Sequence, residues 1–387
     1  MTPPAPVRPL RIALVVPGGV DESGERRVIP GLLALVERLV QRHEVHVFAL
    51  RQYDEPRTYR LLGAKVTNLG RPRRLARLPG RTMWWRYRAL ASGLAAEGFD
   101  VVHAFWATAP GVIATAAARR LGIPAVVSLA GGELVGLPEI EYGAQLRRRT
   151  RWLVRGTLKR ATVLTCASGP MARLLVAHGH KAVLVPLGTP AFAGPPVLPT
   201  GGPPRLLFVG SLNRVKDPFT LLAAMRRVVD VEPNARLDAA GVDVLVGEVQ
   251  RRAAELGLGE HVRFHGQRPH AELDRLYRSA QLLVVTSRHE AGPMVALEAA
   301  ARGVPIVGTH VGHLADAAGD WATTVPVGDA AGLADAVLAL THDPDRRARM
   351  GRAALAWARA NDADATVARF EALYRGLVPA RPGPKFP

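Results

Sequence analysis

The chain of 387 residues has a single cysteine, Cys166, only 5% aromatic residues, and far fewer acids than bases. One thiol excludes an internal disulfide and a thiolate metal cluster. Its place in the apolar run 162–168 marks it as a core residue of a chain kept in a reducing compartment. Long apolar runs are also missing. The longest uncharged one, 104–118, is broken by Pro110-Gly111 and falls short of the roughly 18 to 20 residues that a membrane-spanning helix requires. The apolar stretch after Arg11 is too short for a secretory h-region and runs into Pro17-Gly18-Gly19, so the expectation is a cytoplasmic protein. No His/Cys cluster has zinc spacing, and no G-x-S-x-G elbow is present for a Ser-His-Asp nucleophile.

What is present is enough apolar material, 48% of residues, for two full cores in a length that fits two domains. The charge is distinctive. The 51 Lys plus Arg against 33 Asp plus Glu give +18, which points to an anionic partner. Short β-branched runs at 11–17, 44–50, 100–106, 124–129, 162–168 and 181–187 alternate with helical patterns. The first of these patterns, 28–40, carries Ile29, Leu32, Leu33, Val36, Leu39 and Val40 on one stripe. Parallel strands need helical crossovers, so the alternation predicts a doubly wound parallel sheet. The stretch 186–204 holds seven prolines and four glycines and reads as a hinge. The strand pattern then restarts at 205–210, 235–240, 262–265, 281–286 and 305–309, with helices such as 219–229 and 246–256. The span 345–377 reads as consecutive helices.

The fold class expected is therefore α/β, with two Rossmann-like parallel-sheet domains facing a central cleft. The first domain runs over 1–187, the hinge over 188–203, and the second domain over 204–360. Ligands of open α/β sheets bind at the carboxyl ends of the strands, which directs attention to the strand-to-helix turns.

The richest turn is 287–298, Ser-Arg-His-Glu-Ala-Gly-Pro-Met-Val-Ala-Leu-Glu, after the apolar strand that ends at Thr286. Glu290 falls in the loop and Glu298 one turn into a helix that opens near Met294. That helix end, with Pro293 before it, offers the free backbone N–H groups of Met294 and Val295 to a phosphate. A carboxylate there accepts ribose hydroxyls, and a loop carboxylate accepts sugar hydroxyls. On spacing alone, a solvated pair of acids or a helix-cap pair remains the other reading.

The run from Glu290 to Glu298, followed by Gly303-Val-Pro305, resembles the signature of the family 4 retaining glycosyltransferases of the GT-B fold. The turn 209–218, Val-Gly-Ser-Leu-Asn-Arg-Val-Lys-Asp-Pro, is similar to that family's phosphate-binding turn. The resemblance implies that Lys216 and a nearby arginine neutralise a nucleotide diphosphate, that Glu298 holds the ribose and that Glu290 contacts the donor sugar. It also implies that the final helix, within 361–387, packs back on the first domain. Gly210 and Ser211 open the turn. Ser211 stands where the family has an arginine, which passes that charge to Arg214. Exposed loop cations are the alternative for Arg214 and Lys216.

In the first domain the turn 17–24 carries Gly18, Gly19 and Gly24. It is not G-x-G-x-x-G, and Gly24 resembles the family glycine at the entrance of the first helix. Where many relatives have a His-Gly pair near the donor sugar, this chain has Ala130-Gly131, leaving Glu133 and His103 as the nearby polar candidates. A hydrogen-bonded strand-end histidine and a helix-start carboxylate are the plainer readings of those two. The triplets Asp343-Pro-Asp345 and Asp362-Ala-Asp364 fall at helix boundaries and read as caps, so no metal is expected.

Two basic segments complete the inventory. Residues 71–88 hold seven arginines interleaved with Trp84, Trp85 and Tyr87, and 147–160 hold seven cations around Trp152. Both suit an anionic membrane surface, although an arginine-rich composition that merely solvates helix faces reads the same way. The expected activity is transfer of a hexose, with retained configuration and no cofactor, from a nucleotide diphosphate sugar such as a UDP sugar to an acceptor hydroxyl. The acceptor would be a sugar, a small molecule or a lipid-linked or anionic group at the cytoplasmic face of a membrane. A sugar phosphorylase of the same fold and a non-enzymatic membrane- or nucleic-acid-binding protein are the alternatives. No nucleic-acid module is recognised, and no nucleic acid is expected as a partner.

Overall fold

The structure, a computed structural model, describes residues 8–71, 79–190 and 202–378. Its first sheet contains β1 (Arg11–Val16), β2 (Glu44–Ala49), β3 (Arg57–Leu61), β4 (Ala64–Asn68), β5 (Val101–Phe105), β6 (Ala125–Leu129), β7 (Val163–Cys166) and β8 (Val183–Leu184). Their order is β3-β4-β2-β1-β5-β6-β7-β8, parallel except for the β3–β4 pair. Helices α2 (Pro79–Glu97), α3 (Ala109–Leu121), α4 (Arg148–Arg160) and α5 (Gly169–Ala177) share a core with one face, through residues such as Val15, Ala104 and Val127. On the other face α1 (Pro30–Leu39) and α13 (Ala363–Leu377) pack with Ile12, Leu14 and Val47.

The second sheet contains β9 (Arg205–Val209), β10 (Arg236–Ala240), β11 (Val262–Gly266), β12 (Leu282–Val285), β13 (Ile306–Thr309) and β14 (Ala322–Val325), in the order β11-β10-β9-β12-β13-β14 and parallel throughout. Its helices are α6 (Pro218–Val231), α7 (Glu248–Glu255), α8 (His270–Ser279), α9 (Met294–Ala300), α10 (Gly312–Asp316), α11 (Ala330–His342) and α12 (Pro344–Ala360). In both sheets the strand order reverses beside the first strand, at β1/β5 and at β9/β12. The crevices that receive ligands in such folds lie there, at the carboxyl ends.

The patterned elements form close to their expected bounds because tertiary packing agrees with local preference. The first helix begins at Pro30, the position proline favours, while Ile29 stays extended. Three elements depart from the expectation. The β3–β4 hairpin turns on Leu62-Gly63, both at positive φ (48° and 86°), so it lacks the Asn-Gly type of signal that marks such turns. β14 is a four-residue edge strand. The strand expected at 181–187 shrinks to the two exposed residues of β8 at the edge of the first sheet.

α13 returns across the chain to the first sheet. Gly188 N–H donates to Thr366 Oγ1 (2.8 Å), Thr366 Oγ1 to the Pro186 carbonyl (2.7 Å) and Ala363 N–H to the Thr189 carbonyl (2.9 Å). Of the expected hinge, 191–201 lie outside the described residues. Among the basic segments, 72–78 lie outside them as well.

Candidate functional site

The loops that leave β9 and β12 lie side by side and are laced together. Arg288 N–H donates to the Val215 carbonyl (2.8 Å), and Thr286 Oγ1 donates to the carbonyl of Lys216 (2.8 Å). Asn213 Oδ1 accepts from Lys216 N–H (2.9 Å), and Asp217 caps α6 in the left-handed region, φ 48°, accepting from Thr220. Short polar side chains such as Asp tolerate that conformation, which lets the chain turn sharply from the loop into the helix. The same lacing brings Lys216 Nζ to 2.5 Å from Glu290 Oε1, and Ser287 Oγ donates to that oxygen at 2.6 Å. Gly210 sits at the start of the loop, its carbonyl so close to Gly241 that a Cβ on Gly241 would stand 1.9 Å away. Ser211 follows it. Arg214 points elsewhere, 3.4 Å from Glu248, with its side chain about half exposed.

Pro293 precedes α9 with φ −68° and contributes no side-chain cap to Met294 and Val295, the first residues of the helix. Glu298, one turn on, is 7% exposed, and its Oε2 accepts from the Tyr277 hydroxyl at 2.7 Å. Tyr277 is fully buried, and burial beside the Glu298 carboxylate pushes its phenol well above the usual range, so it remains a donor. Arg302 lies over the Tyr277 ring at 5.0 Å and donates to the Glu298 carbonyl (2.8 Å) and to Asp274 (2.8 Å).

The first domain closes on this pair of loops. His289 Nε2 lies 3.2 Å from the Gly131 carbonyl, and its ring tilts against Tyr142. A carbonyl only accepts, so Nε2 carries the hydrogen. Burial lowers the imidazole pKa and keeps the ring neutral. Arg288 bridges Asp217 and Glu139, each at 3.2 Å. Ser168 Oγ donates to the Ala291 carbonyl (2.6 Å), and Gly169 N–H donates to Asp316 Oδ2 (2.7 Å). Gly31, in the first turn of α1, stands against Met294: a Cβ there would meet the Met294 methyl at 3.1 Å. The glycine at the helix entrance that faces the second domain is therefore Gly31. Gly24 is a mid-loop residue at φ 69°, and Gly19, at φ 82°, leaves room only for Ile29.

Two candidates are enclosed by their own neighbours. His103 is fully buried on β5, where its ring nitrogens pair with Tyr374 Oη (2.6 Å) and Ser128 Oγ (2.7 Å), and burial drives its pKa down to about 3. Alternation along the strand turns it toward α13 rather than into the cleft. Glu133 is 1% exposed and accepts backbone N–H groups from Ala107, Ala130 and Gly131 (3.2, 3.1 and 2.7 Å), although desolvation raises its pKa. It braces the loop that presents the Gly131 carbonyl to His289. Asp343 and Asp362 are helix caps, accepting from the backbone of Arg346 and Ala365.

Sequence reasoning missed Ser287, Arg288, His289, Tyr142 and Tyr277. The first three stand directly before Glu290 in the turn already singled out, and that adjacency was the available signal. Tyr277 reads as part of the apolar face of α8, and nothing in the sequence links it to Glu298.

Two doubly wound sheets with acidic and basic groups gathered at their facing carboxyl ends define a two-domain α/β protein with its crevice at the ends of both sets of strands. Two family models match: one described as Glycosyltransferase Family 4 over residues 31–191, and one described as Glycosyl transferases group 1 over residues 195–357. The chain belongs to the group 1, family 4 glycosyltransferases. It is 33% identical over 179 residues to the D-inositol 3-phosphate glycosyltransferase of Corynebacterium glutamicum, and 37% identical over 184 residues to the D-inositol 3-phosphate glycosyltransferase 1 of Catenulispora acidiphila. Those matches cover 44% and 45% of this chain and 43% and 44% of the relatives, so the chain spans under half the length of the curated relatives it matches. Among solved structures, sucrose-phosphate synthase from Thermosynechococcus elongatus has a TM-score of 0.79 at 22% identity, covering 95% of this chain and 99% of that one. Anabaena HepE in complex with UDP-glucose has a TM-score of 0.73 at 17% identity, covering 95% and 100%. These likenesses establish the GT-B arrangement of two Rossmann-like domains.

Proposed function

We propose that this glycosyltransferase moves a hexose from a nucleoside diphosphate sugar, a UDP sugar in the first instance, to an acceptor hydroxyl with retention of anomeric configuration and without a metal. The observation that carries the reading is the Lys216–Glu290 pair beside the start of α9, with Glu298 held one turn further on by Tyr277. Breaking the C1–O bond leaves extra negative charge on the diphosphate. A fixed cation and free helix N–H groups stabilise that charge most in the transition state. Lys216 and the backbone of Met294 and Val295 take this role, with Arg214 reaching the diphosphate only if it leaves Glu248. Glu298 accepts the ribose hydroxyls and Glu290 those of the sugar. The acceptor oxygen attacks C1 on the face the diphosphate leaves, and the acceptor proton passes to the departing phosphate oxygen.

The proposal of metal independence rests on the two Asp-x-Asp triplets, whose first aspartates, Asp343 and Asp362, cap helices by accepting from the backbone of Arg346 and Ala365. A UDP donor is suggested by the UDP-glucose in the HepE structure, and an anionic acceptor by the inositol phosphate in the relatives' names. The test is calorimetry and thermal shift with UDP, GDP and ADP and their sugars, in EDTA, on the wild type and on Glu298→Ala. Stabilisation by one nucleotide that EDTA leaves intact and Glu298→Ala weakens about tenfold or more supports the reading. A folded protein that answers to no nucleotide sinks it. Sugar transfer that depends on inorganic phosphate would instead identify a phosphorylase.

A further inference from the structure

Within the two basic segments flagged by the sequence, α2 and α4 each present an exposed stripe that the transfer chemistry leaves unused. α4 carries Arg148, Trp152, Arg155 and Lys159 at i, i+4, i+7 and i+11, a single stripe along the helix, and all four are exposed. Its opposite side, Val154, Thr157 and Leu158, is buried against the first domain. α2 repeats the arrangement with Arg81, Trp84 and Arg88 at i, i+3 and i+7, again all exposed. The tryptophans are the notable members: Trp152 is 72% exposed and Trp84 58%, although large aromatic rings normally bury most of their surface. Each stands among arginines, and the Arg88 guanidinium lies 4.9 Å from the Trp84 ring. Among the described residues no carboxylate pairs with Arg148, Arg155, Lys159, Arg81 or Arg88, in a protein whose arginines elsewhere commonly find acids.

The topology puts these two stripes at the same end of the molecule. β4 and β6 run parallel to the strands between them, and α2 and α4 start from the loops that leave their carboxyl ends. Trp84 and Trp152 therefore both fall in the second turn of a helix that begins at the carboxyl edge of the sheet. α3 packs between the two helices on the same face. Arg86 Nε ties α2 to the Gly70 carbonyl beyond β4 (2.9 Å), and Arg151 ties the start of α4 to the Gln145 carbonyl (2.6 Å), which holds both stripes to that edge. The cleft opens along this edge.

We infer that the first domain docks on an anionic lipid bilayer through the exposed stripes of α2 and α4, with Trp84 and Trp152 entering the headgroup region and the arginines and Lys159 contacting lipid phosphates. Indole rings favour the membrane–water interface, and cations near an anionic leaflet add attraction that salt screens. The stripes lie on convex helix faces rather than in a groove. That shape matches a broad bilayer and gives no track along which bases would stack, as single-stranded nucleic acid requires. The surface does not depend on the donor assignment. Its consequence does: if the transferase reading holds, docking sets the mouth of the cleft on the leaflet, and the acceptor hydroxyl belongs to a lipid-borne molecule.

The test uses the full chain and vesicles of phosphatidylcholine with about one third phosphatidylglycerol, compared with pure phosphatidylcholine, read by co-sedimentation and tryptophan fluorescence. The expected result is binding to the anionic vesicles alone, with a blue shift of the emission. Trp84→Ala/Trp152→Ala should lose the shift, and Arg148→Glu/Arg155→Glu should weaken partition about tenfold or more. Both variants should keep the wild-type unfolding midpoint and nucleotide affinity, since these side chains are exposed and lie outside the donor site. Equal binding to neutral vesicles, no binding to either, or an unchanged partition in both variants overturns the docking surface, as does displacement of the vesicles by a single-stranded oligonucleotide. Vesicle binding without any nucleotide response leaves the surface standing and removes the transferase reading of the cleft. Nucleotide response without vesicle binding does the reverse.

Discussion

Lys216 Nζ and Glu290 Oε1 stand 2.5 Å apart, so the two side chains proposed for the two ends of the donor hold each other. With side chains 25% and 13% exposed, the pair is shielded from solvent, and Ser287 keeps the carboxylate oriented from the other side. On the proposed reading, a diphosphate and a sugar would replace this pair with one contact each, exchanging an internal ion pair for two ligand contacts rather than desolvating free charges.

Lys216→Met should therefore reduce kcat/KM by about a hundredfold to a thousandfold, in line with the loss of one fixed transition-state donor. Glu290→Gln, which keeps the shape but weakens the acceptor, should act mainly on the sugar nucleotide and little on the free nucleoside diphosphate. Steady-state kinetics together with calorimetry against both ligands separates the two effects. Equal loss for nucleotide and sugar nucleotide in Glu290→Gln would remove Glu290 from the sugar subsite.

Tyr277 donates to Glu298 from a fully buried position, so it acts through the carboxylate and not on the ligand. A hydrogen bond to a charged group contributes about 1.5–3 kcal/mol. Glu298→Ala should weaken nucleotide binding roughly tenfold to a hundredfold. Tyr277→Phe should weaken it less while leaving kcat nearly unchanged, a KM-against-kcat split that a general loss of stability would not give.

Arg288 reaches Asp217 in its own domain and Glu139 in the other, both at 3.2 Å. The Glu139 side chain is about half exposed and Asp217 is largely buried, so the two halves of the bridge are unequal. Exposed ion pairs contribute about 0–1 kcal/mol. Glu139→Gln should leave the unfolding midpoint unmoved, whereas Arg288→Ala, which abandons the buried cap of α6, should lower it by a few degrees. Differential scanning calorimetry on the two variants reads the difference.

Burial depresses the pKa of His103 to about 3 and of His313 to about 4, against about 6.5 in an unfolded chain. The folded form keeps these rings neutral, while the unfolded form takes up protons below pH 6.5. Their contribution to stability is thus complete above that value and is lost as the pH falls from about 6.5 toward 3 to 4. Each ring adds a slope of up to about 1.4 kcal/mol per pH unit within the window. Denaturant titrations at pH 7.5, 6 and 5 should show falling stability, and His103→Gln should flatten part of that slope without abolishing nucleotide binding.

Much of the fold was legible because local and global demands agree. Central strands such as β1 and β12 are almost wholly apolar, since parallel strands are covered on both faces, and proline or aspartate marks the starts of α1, α6, α12 and α13. The β3–β4 hairpin escaped notice because Leu62-Gly63 carries a turn that other residues usually mark. In the site, Glu290, Glu298 and Lys216 could be singled out because their motif is local. The roles of Glu133 and His103 could not, since a carboxylate or an imidazole has the same letter whether it faces a cleft or braces a core.

By itself, then, the sequence determined two parallel α/β domains, the turns where ligand chemistry is concentrated, and the separation of acids from a strongly basic first half. These features follow from periodicity, capping and composition along the chain. Only the tertiary structure decided which distant groups meet: Lys216 with Glu290, Tyr277 with Glu298, His289 with the Gly131 carbonyl, and the two tryptophan stripes at one edge. The physical reason is that such contacts depend on how crossovers stack and how loops from separate strands converge. Hydrogen-bond geometry fixes them over distances of about 3 Å, which spacing along the chain does not encode.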